Sequence, residues 1–268
     1  MISTATQPGG TKPNEDWVGT TDKVVVVLDG LSAPEGVSGC VHGTPWYVER
    51  LGEQLLARAA SDIPLREALR QSILEVSRQH PECDLRDPGT PSSTVAIVRV
   101  CEEQVEALVL ADSPVLVDTT AGPEILTDRR VDTVVQHEQA AALRAPTGST
   151  EKLERMATLV RAQRSVRNTE DGYWIAGSIP EAADHALEQS WCRRDVQRFA
   201  AMTDGVSCLV ELYGANSWLD LLDLAEHENG EAVIDCVRAV EAADPEGVRW
   251  PRYKTSDDAS IAFYRLAP

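Results

Sequence analysis

The sequence lacks any apolar run long enough to cross a membrane. Near its start the longest such run covers residues 24–28, far below the roughly 20 residues that a spanning helix needs. The opening segment, MISTATQPGGTKPNED, also lacks the basic stretch followed by an apolar stretch that marks a secretory signal. We therefore expect a cytoplasmic protein that does not contact membranes.

Basic residues are few relative to acidic ones. The chain has 25 Lys and Arg against 43 Asp and Glu, which gives a formal net charge of −18 at pH 7. A surface of that charge repels nucleic acid and anionic membranes. We therefore expect neither of them as a partner.

Closely spaced cysteines are also absent. The six cysteines are scattered without a Cys-x-x-Cys pair, so their pattern indicates neither a zinc ribbon nor a disulfide framework. We interpret most of them as small buried hydrophobic residues. They are Cys40, Cys83, Cys101, Cys192, Cys208 and Cys236.

The chain does contain enough apolar sequence for a large core, with 268 residues of which 43% are hydrophobic. Runs rich in β-branched residues predict strands at 24–28, 93–100, 105–111, 114–118, 198–202 and 260–266. Helical spacing predicts helices at 44–61, 64–80, 151–166, 180–189, 217–227 and 230–243. In the first of them, Thr44 is the predicted N-cap, ahead of Pro45. The order of these elements predicts α+β layers rather than a repeated βαβ unit.

The stretch from Gln136 to Asp171 has the least regular pattern and is rich in Arg and Ala. It fits either a flap over a functional site or an ordinary surface insertion. Within it, Arg161, Arg164 and Arg167 recur at a spacing of three, which predicts one face of a helix. Such a stripe either contacts an anionic substrate or forms internal salt bridges.

Acidic residues stand at the ends of nearly all the central strands. Asp is common at strand ends, so each position alone says little. If the strands are neighbours, however, the carboxylates gather at one sheet edge, where their repulsion requires a cation. Oxygen ligands without His or Cys favour Mg²⁺ or Mn²⁺ over zinc. The residues concerned are Glu15, Asp16, Asp29, Asp112, Asp204, Asp257 and Asp258.

Two of these carboxylates belong to Asp-Gly pairs that follow apolar runs, Asp29-Gly30 and Asp204-Gly205. Asp-Gly also suits the positive φ angles of a type I′ hairpin turn. The alternative interpretation of the two pairs is therefore a pair of tight turns rather than two halves of one metal site.

Seven motifs follow one another in an order that resembles the metal-dependent protein phosphatase family, type 2C. They are NED (14–16), VVVVLDG (24–30), SST (92–94), ADS (111–113), LTD (126–128), AMTDGVS (201–207) and SDDASIAFYRL (256–266). The resemblance spans almost the whole chain. It implies one phosphatase-like domain over residues 1–268, folded as a four-layer α+β sandwich of two antiparallel β-sheets flanked by helix pairs.

The resemblance also implies a site for two Mn²⁺ or Mg²⁺ ions and a weaker site for a third. Asp29 bridges two ions in this scheme, Asp16 orients a metal-bound water, and Asp112 shares the weaker site with Asp204. The implied activity is hydrolysis of phosphomonoesters, above all phosphoserine and phosphothreonine in proteins, by attack of a metal-bridging water. The implied metal ligands are Glu15, Asp16, Asp29, Gly30, Asp112, Asp204 and Asp257.

The chain departs from the family pattern at the residues that handle substrate. Leu31, Ser32 and Ala33 stand where many members have His and a Gly pair, so the family's general-acid His is absent there. His42 is the candidate replacement that protonates the leaving group; the alternative is a loop residue or a cap of the next helix.

The Arg that family members carry before NED is also absent. Lys12 is the candidate replacement for gripping phosphate, without the bidentate fork of Arg. Arg252 and Lys254 either hold an anionic substrate or form a solvated basic pair. These departures leave two alternatives to a protein phosphatase: a phosphatase of a small phosphorylated metabolite, and a catalytically weak relative with a regulatory or binding role.

Overall fold

Two antiparallel β-sheets form the centre of the computed structural model, which describes residues 1–31 and 39–266. Ser32 and Ala33 lie outside the described residues. The first sheet has the strand order β1 (Ile2–Gln7), β11 (Ala259–Arg265), β10 (Val196–Met202), β7 (Val115–Thr119) and β8 (Gly122–Leu126). The second has the order β2 (Asp16–Thr20), β3 (Val24–Leu31), β5 (Val95–Val100), β6 (Gln104–Leu110) and β9 (Leu187–Cys192), and the short β4 (Ser92–Ser93) also pairs with β3.

Helices cover the outer faces of both sheets: α1 (Thr44–Ala59) and α2 (Leu65–Arg78) on the second sheet, and α6 (Asp204–Glu211), α7 (Trp218–His227) and α8 (Gly230–Ala243) on the first. The remaining helices, α3 (Arg130–Thr133), α4 (Gln136–Arg144) and α5 (Thr150–Val166), follow β8 in the chain. Short 3₁₀ helices cover Pro180–His185 and Arg193–Asp195. In the described part of the chain, no helix combines the length and the apolar character that a membrane crossing requires.

The side-chain alternation of β3 explains the layering. Val24, Val26 and Leu28 pack against α1 and α2, whereas Val25 and Val27 pack against the first sheet. The strand is apolar on both faces because both faces are covered. On the other side of the first sheet, Ile261 and Phe263 pack against α6, α7 and α8. The predicted four-layer α+β sandwich is therefore confirmed.

Apart from the two-residue β4, four strands of the described chain were not predicted from the sequence, and all four lie at sheet edges: β1 and β8 in the first sheet, β2 and β9 in the second. An edge strand pairs on one side only, so fewer of its side chains are buried than in a central strand. The strand β9, for example, has a single buried residue, Trp191. These sequences therefore carry little of the apolar pattern on which strand prediction depends.

Several local predictions need correction. The predicted helix 180–189 is a 3₁₀ helix followed by β9, and the stretch after Gln136 is largely helical because it contains α4 and α5. Thr44 is the first residue of α1 rather than its N-cap, which is Gly43 at φ 81°. Of the six cysteines, all of which lie in the described residues, only Cys40 is buried.

Candidate metal centre

The register of β2 and β3 brings two of the predicted ligands together. Asp16 and Asp29 are direct partners across this antiparallel pair, and such partners project from the same face. Thr94 fixes the backbone of Asp29: its Oγ1 accepts a hydrogen bond from the Asp29 N–H at 3.1 Å, and its own N–H donates to the Asp29 carbonyl at 2.9 Å. The pairing therefore places two carboxyl groups side by side at the end of the second sheet.

Neither Asp-Gly pair forms a hairpin turn. Asp29-Gly30 lies inside β3 and Asp204-Gly205 opens α6, and neither glycine is among the described ones with positive φ. Both glycines instead permit a close approach of the backbone. A Cβ at Gly205 would lie 1.9 Å from the carbonyl oxygen of Asp258, and one at Gly30 would lie 2.4 Å from that of Glu15. These approaches bring the acidic segments at 15–16 and 257–258 up to the two strand ends.

The carboxyl groups are close enough to perturb one another. Burial, followed by the charges of Asp204, Asp16 and Asp257, raises the pKa of Asp29 well above its usual value. The side chain of Asp204 reaches solvent through a cleft. The protein atoms around it nevertheless displace much of its hydration, and this effect, followed by the charge of Asp257, raises its pKa to about 6. Burial and the charge of Asp204 raise the pKa of Asp112 to about 7. Such a group of carboxyls is unfavourable without a cation.

Asp16 is buried with one of its oxygens unsatisfied. Its Oδ2 accepts a hydrogen bond from Thr203 Oγ1 at 3.0 Å, and Thr203 Oγ1 in turn accepts one from the Ser260 N–H at 3.0 Å. Its Oδ1 has no hydrogen-bond partner within residues 1–31 and 39–266. Burial raises the pKa of Asp16, although the hydrogen bond from Thr203 opposes that effect. An unsatisfied buried oxygen among other carboxyls fits coordination of a cation.

Asp258 fixes the backbone of the predicted ligand Glu15 rather than facing the other carboxyls. Its Oδ2 accepts a hydrogen bond from the Glu15 N–H at 2.7 Å, and its Oδ1 accepts one from the Gly9 N–H at 2.8 Å. The neighbouring Asp257 forms an ion pair with Lys254 at 2.5 Å. Glu15, Asp257 and Lys254 line one cavity together with Lys12, so the structure brings Lys12 to the rim of the carboxylate group.

A cleft of about 200 Å³ opens over the carboxyls, and α5 forms one of its walls. The acidic side chains that line it are Asp29, Asp112, Asp204 and Asp257, and the basic ones are Arg164, Arg167 and Lys254. This placement supports the hypothesis that the stretch after Gln136 covers a functional site.

The predicted Arg stripe is divided by the end of α5. The helix ends at Val166, so Arg167 lies beyond it, and its guanidinium donates to Ser92 Oγ at 2.8 Å and to the Pro88 carbonyl at 3.1 Å. Arg161 is exposed and is not part of the cleft lining. Arg164 does line the cleft, where burial and the charge of Arg167 lower its pKa.

Two predicted substrate-handling residues have other partners. His42 is grouped with Cys40, His80 and Cys83 rather than with the carboxyls. Arg252 is buried and contacts Asp244 at 3.3 Å and several backbone carbonyls, so it is not a solvated residue. Its role is to hold the segment that leads to Lys254 and Asp257.

Sequence reasoning interpreted Thr94 as a residue of strand packing and assigned no role to Thr203. Each is a buried hydroxyl residue beside a predicted ligand: Thr94 pairs with the Asp29 backbone, and Thr203 directly precedes Asp204. The sequence signal that could have identified them is their position in two of the motifs, SST and AMTDGVS. These two residues hold carboxyl groups whose set contains neither His nor Cys. Such an oxygen donor set fits the hard ions Mg²⁺ and Mn²⁺.

Comparisons with known proteins agree with this architecture. The family model for protein phosphatase 2C matches residues 11–241. A search among curated protein sequences found no significant match.

Three solved structures illustrate the similarity in fold. The PPM Ser-Thr phosphatase MsPP from Mycobacterium smegmatis, in complex with cacodylate, is 19% identical with a TM-score of 0.56, and the alignment covers 100% of this chain and 98% of that one. The serine/threonine phosphatase Stp1 from Staphylococcus aureus is 13% identical with a TM-score of 0.60, covering 100% and 95%. The catalytic domain of the serine threonine protein phosphatase PstP, in complex with 2 manganese ions, is 13% identical with a TM-score of 0.57, covering 100% and 98%.

Proposed function

The chain belongs to the protein phosphatase 2C family, and from this premise we propose that it is a metal-dependent phosphatase of phosphomonoesters. We propose phosphoserine and phosphothreonine side chains of proteins as its substrate class. The observation that carries the proposal is the group of carboxyls around Asp29, whose raised pKa values and unsatisfied Asp16 oxygen call for divalent cations. We also propose that residues 1–268 form a single domain, because β1 pairs with β11 near the other end of the chain.

The ions that fit this donor set are Mn²⁺ or Mg²⁺, two at the main site and a third at a weaker one. The residues that would hold them are Glu15, Asp16, Asp29, Asp112, Asp204 and Asp257 through their carboxyl groups, and Gly30 through its carbonyl. When bound, such ions lower the pKa of a coordinated water and neutralise phosphate charge.

The basic side chains of the cleft provide attraction for an anionic substrate. Arg164 lines the same cleft as Asp29 and Asp204, and burial, followed by repulsion from Arg167, lowers its pKa. A phosphate dianion next to Arg164 relieves that repulsion and accepts charge-assisted hydrogen bonds from the guanidinium. Lys12, at the rim beside Glu15, adds a second cation for a longer substrate.

Asp16 supplies a hydrogen-bond acceptor at the reacting centre. Thr203 holds one of its oxygens, and the other oxygen has no partner among the described protein groups. That oxygen would hold a water coordinated by the ions and so orient it for attack.

The experiment that tests the proposal is an assay of the purified chain with Mn²⁺ on a phosphothreonine peptide and on a panel of small phosphorylated metabolites. We expect turnover of the peptide that requires Mn²⁺, is abolished in Asp29→Asn and is retained in Asp62→Asn, which removes an exposed carboxylate outside the site. Turnover of metabolites alone would reassign the substrate class. Mn²⁺ binding by calorimetry without turnover of any phosphoester would indicate the catalytically weak relative.

A further inference from the structure

A second group of potential metal ligands lies apart from the carboxyls, at one end of the α1–α2 pair. Cys40 and His42 come directly before α1, and His80 and Cys83 come directly after α2. Consecutive helices that pack against each other return the chain to its starting end, so the two pairs of residues meet there. The ligand atoms of all four lie within 4.8 Å of one another.

The distances between these atoms match the edges of a zinc tetrahedron. Cys40 Sγ lies 3.6 Å from His42 Nδ1 and 3.7 Å from His80 Nδ1, and Cys83 Sγ lies 3.5 Å from His42 Nδ1. Zinc binds Cys sulfur at about 2.3 Å and His nitrogen at about 2.0–2.1 Å, so two such ligands in a tetrahedron are about 3.6 Å apart.

The surroundings of the group suit a bound cation. His80 is buried, and the Sγ of Cys40 is the polar contact of its Nδ1, whereas its Nε2 has no hydrogen-bond partner in the described part of the chain. Burial raises the pKa of the Cys40 thiol, and the hydrogen bond that its Sγ accepts from the His42 N–H at 3.4 Å opposes that effect. The ring of Trp46 stacks on His42 at 4.2 Å and lies 4.6 Å from the ring of His80, which fixes both imidazoles.

We propose that Cys40, His42, His80 and Cys83 form a structural Zn²⁺ site, chemically distinct from the carboxylate centre. Two sulfur and two imidazole ligands select Zn²⁺ over Mn²⁺ and Mg²⁺, which prefer oxygen. Four protein ligands leave no open position, so the ion acts as a cross-link rather than in the reaction. It joins the chain that enters α1 to the chain that leaves α2 and so fastens this helix pair.

The site also reaches toward the phosphatase centre through the backbone. The Gly39 carbonyl, beside Cys40, accepts a hydrogen bond from the Asp84 N–H at 2.8 Å, and Thr44 Oγ1 donates to the Leu31 carbonyl at 3.3 Å. Leu31 ends the strand that carries Asp29. The zinc cross-link therefore restrains the helix that packs next to that strand end.

The test is zinc content and Co²⁺ spectroscopy on the full chain, purified under reducing conditions. We expect about one Zn²⁺ per chain and, after replacement by Co²⁺, the intense visible bands of a tetrahedral ion with thiolate ligands. Cys83→Ser and His42→Gln alter ligands that are not fully buried, so we expect both variants to fold. Both should lose the visible bands of tetrahedral Co²⁺ with thiolate ligands, and both should unfold at a temperature about 5 °C lower than the wild-type protein.

Matched controls separate this site from the carboxylate centre. Cys192→Ser and His137→Gln change exposed residues outside the group and should keep the zinc. Asp29→Asn should also keep it while losing Mn²⁺-dependent turnover, so the zinc proposal and the proposed phosphatase activity can fail independently. A folded, reduced chain that binds neither Zn²⁺ nor Co²⁺ would refute the site. A Cys40–Cys83 disulfide in its place, detected by mass spectrometry, would refute it equally.

Discussion

Thr203 donates a hydrogen bond from its Oγ1 to Asp16 Oδ2 at 3.0 Å, across 187 positions of the chain. Thr203 follows the last residue of β10 in the first sheet, whereas Asp16 begins β2 in the second. The bond therefore joins the two sheets at the edge where the carboxyls meet. It holds one oxygen of Asp16 and leaves the other without a partner in the described structure. The hydrogen bond thereby fixes the orientation of the carboxyl group, with one oxygen left for a cation.

The first prediction concerns this bond. Thr203→Val keeps the shape of the side chain but removes the donor to Asp16 and the acceptor of the Ser260 N–H. We expect a loss of about 1–3 kcal/mol in the free energy of unfolding and a decrease of about 10- to 100-fold in Mn²⁺ affinity. Denaturant unfolding and calorimetry measure the two effects. Thr203→Ser, which keeps the hydroxyl, should lose much less of both, and equal losses in the two variants would show that the hydroxyl is unimportant.

The second prediction concerns the close approach at Gly205. In Gly205→Ala the new Cβ would meet the Asp258 carbonyl oxygen at 1.9 Å, so the segment carrying Asp257 must move away from Asp204. We expect the free energy of unfolding to fall by about 1–3 kcal/mol or more, together with a loss of Mn²⁺ binding. Gly10→Ala is the control, because a Cβ there has no atom within 4 Å. Unchanged Mn²⁺ binding in Gly205→Ala would contradict the proposed role of this contact.

The third prediction is a pH dependence of the protein without bound divalent ions. The folded pKa is about 6 for Asp204 and about 7 for Asp112, both above the unfolded value of about 3.9. Between these values the folded state binds more protons than the unfolded state, so stability decreases as pH rises from about 4 to about 7. The melting temperature measured across this range should fall.

Two further measurements bear on this pH dependence. Asp204→Asn removes one of the titrating carboxyls, so its melting temperature should change less with pH. Because cations compete with these protons, added Mn²⁺ should stabilise the wild-type protein more at pH 7 than at pH 5. A metal-free protein that becomes more stable as pH rises through this range would contradict the raised pKa values.

The fourth prediction concerns Arg164, the guanidinium that lines the cleft on α5. In Arg164→Ala, loss of its charge-assisted hydrogen bonds to phosphate should raise the KM for a phosphomonoester by about 10- to 100-fold. Mn²⁺ affinity should not fall, because no metal ligand is removed. Arg161→Ala, an exposed change on the same helix, should leave KM unaltered. Steady-state kinetics on both variants measures the two KM values. An unchanged KM in Arg164→Ala would exclude a contact between Arg164 and the substrate phosphate.

The central strands and the packed helices could be predicted from the sequence because burial leaves a strong pattern. The run Val24–Leu28 is apolar throughout since both faces of β3 are covered, and α2 and α8 show clear helical spacing. Edge strands such as β9 leave a weak pattern, since most of their side chains are exposed. The boundary between a 3₁₀ helix and the following strand at Ala186 depends on pairing with β6, which local sequence does not encode.

The sequence by itself determined the kinds of residue available: carboxylates at strand ends, and a Gly after Asp29 and after Asp204. Only the tertiary structure decided which of them meet, because pairing of β2 with β3 and packing of one sheet on the other join segments far apart in the chain. The same reason separates His42 from the carboxyls and places it with His80 and Cys83. Residue chemistry is local, whereas a metal site depends on distances that only the folded chain defines.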